Sequence, residues 1–263
     1  MSAERTKEEI HYEIVSKHLD FKGKRILEIG CGAGDLTRYM GQISGAEFIN
    51  GIEYDLSYWS VGESSGSNWK ITEGDVRALN FDDCTFDYII SVGVFEHIND
   101  LEKGLKEMER VLKPGGQCFA WFEPIYTSII GHHYNFWIPE DLYLIPPWGH
   151  LFMTQDEMYN HIKSVRDDEI ALKAVEWIYN GPVINRYTRK DYYRFLSSSG
   201  MTTVYLREMY QTNREGLPEN EFYSLSENQQ RTLLAKHAKD ELSVRGFEVV
   251  LEKNMFWHKK KTA

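Results

Sequence analysis

Cysteine is scarce in this chain. There are three in 263 residues, Cys31, Cys84 and Cys118, and no CxxC pair. A disulfide scaffold is excluded, and no zinc-binding cysteine spacing is present. Long apolar runs are also missing. A membrane-spanning helix needs roughly 18 such residues, whereas the longest candidate, Tyr88 to Phe95, has the length of a buried strand. The opening MSAERTKEEI lacks the apolar stretch of a signal peptide. These features lead us to expect a cytoplasmic protein with no membrane span. Basic residues are outnumbered 30 to 40, giving a net charge of −10. That field opposes a phosphate backbone, so nucleic acid is disfavoured as a partner. The basic run HKKK near the C-terminus reads as a solvated tail. What is present, 42% hydrophobic and 27% charged residues, describes a globular chain of one α/β domain with additions.

Apolar spacing supplies the element order. Lys7 to Leu19 carries Ile10, Ile14, Val15 and Leu19 at helical spacing. Strands are predicted at Arg25–Ile29, Glu47–Glu53, Ile71–Glu73, Phe86–Val92 and Gln117–Glu123. Helices are predicted from Asp35 and over Leu101–Leu112, the second stopped by Lys113-Pro114-Gly115-Gly116. This alternation predicts βαβ units around a parallel sheet. The rhythm breaks over residues 124–187. Ten of the 34 residues from Phe119 to Phe152 are aromatic, about twice the chain average of 14%. It returns with a helix at Lys190–Ser197 and strands at Thr203–Arg207 and Phe247–Glu252. The expected organisation is therefore an N-terminal half-domain over residues 1–123, a cap or substrate-binding insertion over 124–187, and the remainder of the sheet domain over 188–263.

The informative stretch is RILEIGCGAGDL, residues 25–36. A strand enters a cluster of glycines and a helix leaves it, which allows positive φ and close backbone approach by a ligand. The spacing is GxGxG, not the GxGxxG of a dinucleotide fingerprint. Glu28 precedes the cluster, and acids end the next two strands at Glu53 and Asp75. Glu53 lies 19 positions after Gly34, where doubly wound folds place an acid on a ribose. Acids around such a turn suit S-adenosylmethionine, which has an ammonium and a ribose diol but no pyrophosphate.

Five segments in order, ILEIGCGAGD, GIEYDLS, GDVRALNF, FDYIISVGVFEHI and ERVLKPGGQ, resemble the class I S-adenosylmethionine-dependent methyltransferases, in the group that includes the ubiquinone-biosynthesis enzymes. The resemblance spans residues 25–123. It implies a Rossmann-like, doubly wound, seven-stranded and mostly parallel sheet, with one reversed strand at its edge and a helical, aromatic cap. It implies that Glu28, Gly30, Cys31 and Gly32 contact the cofactor, that Glu53 holds the ribose hydroxyls, and that Asp75 and Val76 lie at the adenine. Val92 or Gly93 would offer a carbonyl to the cofactor ammonium.

The acceptor is expected to be a small molecule bearing a hydroxyl, such as a natural product or sugar derivative, because histidines cluster where the rhythm breaks and a hydroxyl needs a base. His150 and His133 are the leading base candidates and His97, next to Glu96, the third. Trp121, Tyr126, Tyr134, Phe136, Trp137 and Trp148 are candidates to wall the acceptor pocket. No metal is expected; a set of His132, His133, His150 and Asp156 is weakened because adjacent histidines point apart in most backbones. The alternatives are a small-amine N-methyltransferase using Glu123 or Glu140 to hold a cation, an RNA methyltransferase, and a cofactor-binding module without turnover. The sequence leaves a homodimer open.

Overall fold

A computed structural model describes residues 5–134, 144–181, 184–211 and 219–255. Its centre is a seven-stranded sheet in the order β3-β2-β1-β4-β5-β7-β6. The strands are β1 (Arg25–Ile29), β2 (Phe48–Glu53), β3 (Trp69–Glu73), β4 (Phe86–Val92), β5 (Leu112–Phe122), β6 (Thr202–Tyr210) and β7 (Val244–Glu252). All neighbours pair in parallel except β7, which is antiparallel to both β5 and β6. The reversed strand is therefore second from the edge, not at it. β6 takes the outer position after a helical crossover, and β7 returns in the opposite direction to fill the gap beside β5.

Side chains alternate across this sheet, so β1 feeds both of its faces. Leu27 and Ile29 join a core with Leu105, Met108, Phe122 and Tyr192, on the side of α3 (Leu101–Val111) and α7 (Arg189–Ser198). Ile26 joins Val15, Leu36 and Met40, on the side of α1 (Lys7–Ser16) and α2 (Asp35–Ile43). Beyond α1, His18 bonds the buried Glu248 of β7 at 2.7 Å, and Arg207 of β6 meets the same carboxylate. β5 starts five residues earlier than predicted. Leu112 already pairs with Phe86, the register then slips, and Gln117 pairs with Tyr88. Pro114 keeps Lys113 extended, so the signal that ends α3 also begins a bulged strand.

Residues 124–187 contribute no described strand. They hold α4 (Gly149–Phe152), α5 (Gln155–Lys163), α6 (Asp168–Val175) and a wide helical turn at Glu176–Asn180. A capping box closes α5, with Thr154 and Glu157 exchanging bonds. Met158, Ile162, Ala171 and Ala174 form the local core. A second helical stretch, unseen in the sequence, joins it from between β6 and β7: α8 (Glu219–Tyr223), α9 (Glu227–Lys236) and α10 (Lys239–Ser243). Phe222, Leu225, Leu233 and Leu242 pack on Trp148 and Leu151. Gln211 links the two, accepting from the Ile129 amide at 2.9 Å and donating to the Leu242 carbonyl at 2.6 Å.

Trp148 is fully buried at this junction. Its replacement by alanine is expected to cost about 3–5 kcal/mol, the usual range for a large aromatic removed from a core. At about 2–4 °C per kcal/mol for a domain of this size, a thermal melt should show a clear fall. A loss below about 1 kcal/mol would mean that the two helical stretches do not depend on this contact.

Candidate functional site

The sheet's carboxyl ends gather the sequence motifs. Between β1 and α2 the chain turns through Gly30, Gly32 and Gly34, at φ of 70°, 54° and 84°. At Gly30 an added Cβ would meet Val94 at 2.4 Å, and at Gly34 it would meet Ile71 at 2.0 Å, so angle and space both require glycine. The Gly30 and Cys31 amides donate to the Ile52 carbonyl at 2.8 and 3.0 Å, which fixes the turn to β2. Glu53 completes the tie: one carboxylate oxygen accepts from the Gly32 amide at 2.8 Å and the other from its neighbour Tyr54 at 2.9 Å. The ring of Trp59, unremarked in the sequence, lies over Gly32, 3.5 Å from where its Cβ would be.

The other expected cofactor residues are placed as follows. Glu28 is buried under α2, on the Thr37 hydroxyl. Burial, with the Thr37 bond opposing it, pushes its carboxyl up to about 7. Cys31 is buried beside Gly51, and burial also raises its thiol. Asp75 gives both oxygens to Arg77, which holds its carboxyl below the ordinary range, and Val76 packs in the core. Val92 ends β4 beside Trp121 of β5, and the Gly93 amide donates to the Trp121 carbonyl at 2.7 Å. Glu53 and Asp75 thus stand at or just past successive strand ends, and the Glu53 carboxylate holds the Gly32 amide beneath the Trp59 ring. The Glu28 side chain is directed to α2.

Past β4, a short turn at Phe95–His97 carries Glu96, which is 1% exposed. Backbone amides of Glu96 and Glu123 donate to its carboxylate, yet burial raises it to about 8, and Oε2 has no hydrogen-bond partner. Asn185 clamps the turn. Its amide donates to the Glu96 carbonyl at 2.9 Å, and its side chain donates to the Phe95 and Ile98 carbonyls at 2.7 and 3.1 Å. A residue 89 positions away in sequence carries no signal of this role.

The histidines pair as the adjacency argument anticipates. The His133 ring meets His97 at 5.1 Å between centroids, and the His132 ring meets His150 at 5.2 Å. Asp156 is exposed on α5. His150 bonds the Tyr126 carbonyl at 2.7 Å and His133 the Gly131 carbonyl at 3.1 Å. A carbonyl only accepts, so Nε2 of His150 and Nδ1 of His133 carry the protons. Burial lowers His150 to about 4 and His133 to about 3. Each is therefore a neutral, weak base at physiological pH, which counts against both as the leading base candidates.

Of the expected aromatic wall, Trp121 is half-buried at the end of β5, with His11 of α1 at 6.3 Å. Tyr126 is half-buried beside His150, with the Arg186 guanidinium 6.0 Å from its ring. Tyr134 and Trp148 are buried in separate helical cores, so packing neighbours take up their surfaces. Phe136, Trp137 and Glu140 lie outside the described residues.

The comparisons with known proteins agree with this geometry. Residues 27–120 match the family model described as a methyltransferase domain. Over these residues the chain carries a methyltransferase domain. Demethylmenaquinone methyltransferases of Staphylococcus aureus strains are 30% identical over 151 residues, 54% of this chain. The match spans 60% of the length of those relatives. An S-adenosylmethionine-dependent methyltransferase from Mesorhizobium loti shares the fold at TM-score 0.54 and 17% identity, over 92% of this chain and 96% of that one. Phosphoethanolamine N-methyltransferase 2 of Haemonchus contortus, solved with S-adenosylmethionine, does so at TM-score 0.55 and 14% identity, over 94% and 52%. The methyltransferase domain's cofactor is S-adenosylmethionine. No described helix is long and apolar enough to cross a membrane.

Two tests follow from the site. Replacing Glu53 with alanine removes a charged partner worth roughly 1.5–3 kcal/mol. Calorimetry with S-adenosylhomocysteine should then show about tenfold to hundredfold weaker binding; unchanged affinity with a lower melting temperature would make Glu53 a turn brace alone.

The second test is stability against pH. Glu28 ionises higher in the folded chain than its ordinary 4.5, so its favourable contribution is full below pH 4.5 and is lost as pH rises through about 7. His150 ionises lower than its ordinary 6.5, so its contribution is full above pH 6.5 and is lost as pH falls through about 4. Urea melts from pH 4 to 8 should show that Glu28→Gln removes part of the alkaline fall and His150→Gln part of the acid fall, each by roughly 3 kcal/mol. Parallel curves for parent and variants would contradict both assignments.

Proposed function

We propose that this protein is an S-adenosylmethionine-dependent methyltransferase acting on a small-molecule acceptor through a hydroxyl oxygen. Gly30, Cys31 and Gly32 line the methionine and ribose part of the cofactor, Glu53 takes the ribose hydroxyls, and Asp75 and Val76 face the adenine. Bound there, the cofactor supplies an electrophilic methyl group on sulfur. The protein's task is then alignment, worth roughly 7–11 kcal/mol in barrier reduction when the partners are well held.

The observation that carries the acceptor reading is the polar interior between the Phe95–His97 turn and residues 126–150. Glu96, Thr127, Ser128, His132 and His150 each bury a polar side-chain atom without a hydrogen-bond partner there. Such atoms are costly unless a ligand or water satisfies them. A hydroxylated molecule offers donors and acceptors to that set. The cap that closes over it consists of residues 124–187 together with 219–243. Among the three histidines, His97 is the better base candidate, because it lies on the turn after β4 and is partly exposed, whereas His133 and His150 are buried.

The amine alternative is disfavoured by Glu123, whose carboxylate already pairs with Arg245 at 2.8 Å. An RNA acceptor conflicts with the net charge of −10. The demethylmenaquinone relatives direct attention to quinol-type rings, where a ring carbon competes with the hydroxyl oxygen as the attacked atom.

The test is transfer of radiolabelled methyl from S-adenosylmethionine to a panel of phenols, quinols, sugar alcohols and small amines, with product mass spectrometry. An O-methylated product is expected, with His97→Gln lowering turnover by roughly a hundredfold at unchanged S-adenosylhomocysteine affinity. Methylated amines or ring-carbon-methylated quinols as the exclusive products would overturn the hydroxyl reading.

A further inference from the structure

Among the described residues, Glu96, His97 and His133 are a group whose ligand atoms all lie within 4.8 Å of one another. We infer that these three side chains form a divalent-cation site, a two-histidine, one-carboxylate set at the acceptor side of the cofactor turn. The inference rests on the proposed function for its purpose but not for its chemistry.

Three observations support it. First, Glu96 is 1% exposed and its Oε2 has no hydrogen-bond partner, while the nearest ion-pair contact is His97 Nε2 at 4.0 Å. A buried carboxyl oxygen left without a partner is costly, and a cation beside Oε2, displacing the carboxyl proton, supplies one. Second, the His133 Nδ1–H donates to the Gly131 carbonyl, which leaves Nε2 as the lone-pair nitrogen. A metal-binding histidine is oriented in this way, its second nitrogen bonded to a carbonyl or carboxylate. Third, His133 holds a left-handed backbone at φ 56°, costly for a residue that is not glycine. That conformation turns its ring toward His97, while His132 meets His150. Asn185 fixes the turn that bears the other two ligands.

Metal–ligand bonds of about 2.0–2.2 Å place neighbouring ligand atoms closer together than 4.8 Å, so the side chains must draw in slightly. His97, with 35% of its side chain exposed, has room to do so. Imidazole and carboxylate ligands suit zinc, iron, manganese or cobalt, and three protein ligands leave positions open. An acceptor oxygen at such a position would bind with its hydroxyl acidified, as water is on zinc. That would supply what His133 and His150, as weak bases, supply poorly.

The test is calorimetric titration of the chelator-treated full chain with zinc chloride and with cobalt chloride, the latter read also by its visible absorption spectrum. No cofactor or acceptor is added, so the outcome is independent of methyl transfer. One ion per chain is expected, with binding weakened at least about tenfold in Glu96→Gln and in His97→Gln. His97→Gln alters a partly exposed side chain and guards against misfolding of the buried variant. His161→Gln, on α5, should bind as the parent does. No binding by the parent at micromolar metal, or equal binding by all variants, would overturn the inference.

Discussion

The turn from Gly30 to Gly34 is the constraint on which the rest of the site depends. Three residues at positive φ reverse the chain between β1 and α2 within a space where Val94 and Ile71 leave no room for a side chain. The turn's own bond, from the Gly34 amide to the Cys31 carbonyl at 2.8 Å, leaves its first three amides to other partners. Its first two amides need the Ile52 carbonyl and its third needs the Glu53 carboxylate, both from β2. Parallel pairing of β1 with β2 and β4 brings those groups into place. The sheet order that buries Ile26, Leu27 and Ile49 therefore also positions the groups that hold this turn.

A second layer of organisation is set by unsatisfied polarity. The sheet's faces are closed by apolar packing, but past the ends of β4 and β5 Glu96, Thr127, Ser128, His132 and His150 each bury an unpartnered atom. Leaving such atoms unmade costs about 1–3 kcal/mol apiece. Stability alone would favour apolar side chains at these positions. The pKa directions agree. Burial keeps the histidines neutral and the Glu96 carboxyl protonated near neutrality, so the apo site carries little charge of its own.

Much of this was legible in the sequence. The continuous apolar runs of β1 and β4 and the glycine spacing gave fold, turn and the acids Glu53 and Asp75, because each depends on local chemistry. Three things were not. The start of β5 was hidden because Lys113-Pro114-Gly115-Gly116 ends a helix in the same way whether a loop or a bulged strand follows. The helices over 219–243 were hidden because their buried residues, Phe222, Leu225, Leu233 and Leu242, are sparse and serve a partner segment far away in sequence. The roles of Asn185 and Trp59 were hidden because neither lies in a motif. The histidines were legible as candidates, but their pairing is decided by the left-handed backbone at His133. Their shifted ionisation is decided by burial, which residue type does not reveal.

Hydrogen–deuterium exchange of the full chain with and without S-adenosylhomocysteine tests the central claim most directly. The account predicts slowed exchange over residues 30–34, 53–54, 74–76 and 92–97, at the carboxyl ends of β1 to β4. Protection confined to the opposite end of the sheet, where a depression of about 390 Å³ lies between Arg25, Phe48, Lys70 and Phe86, would contradict it.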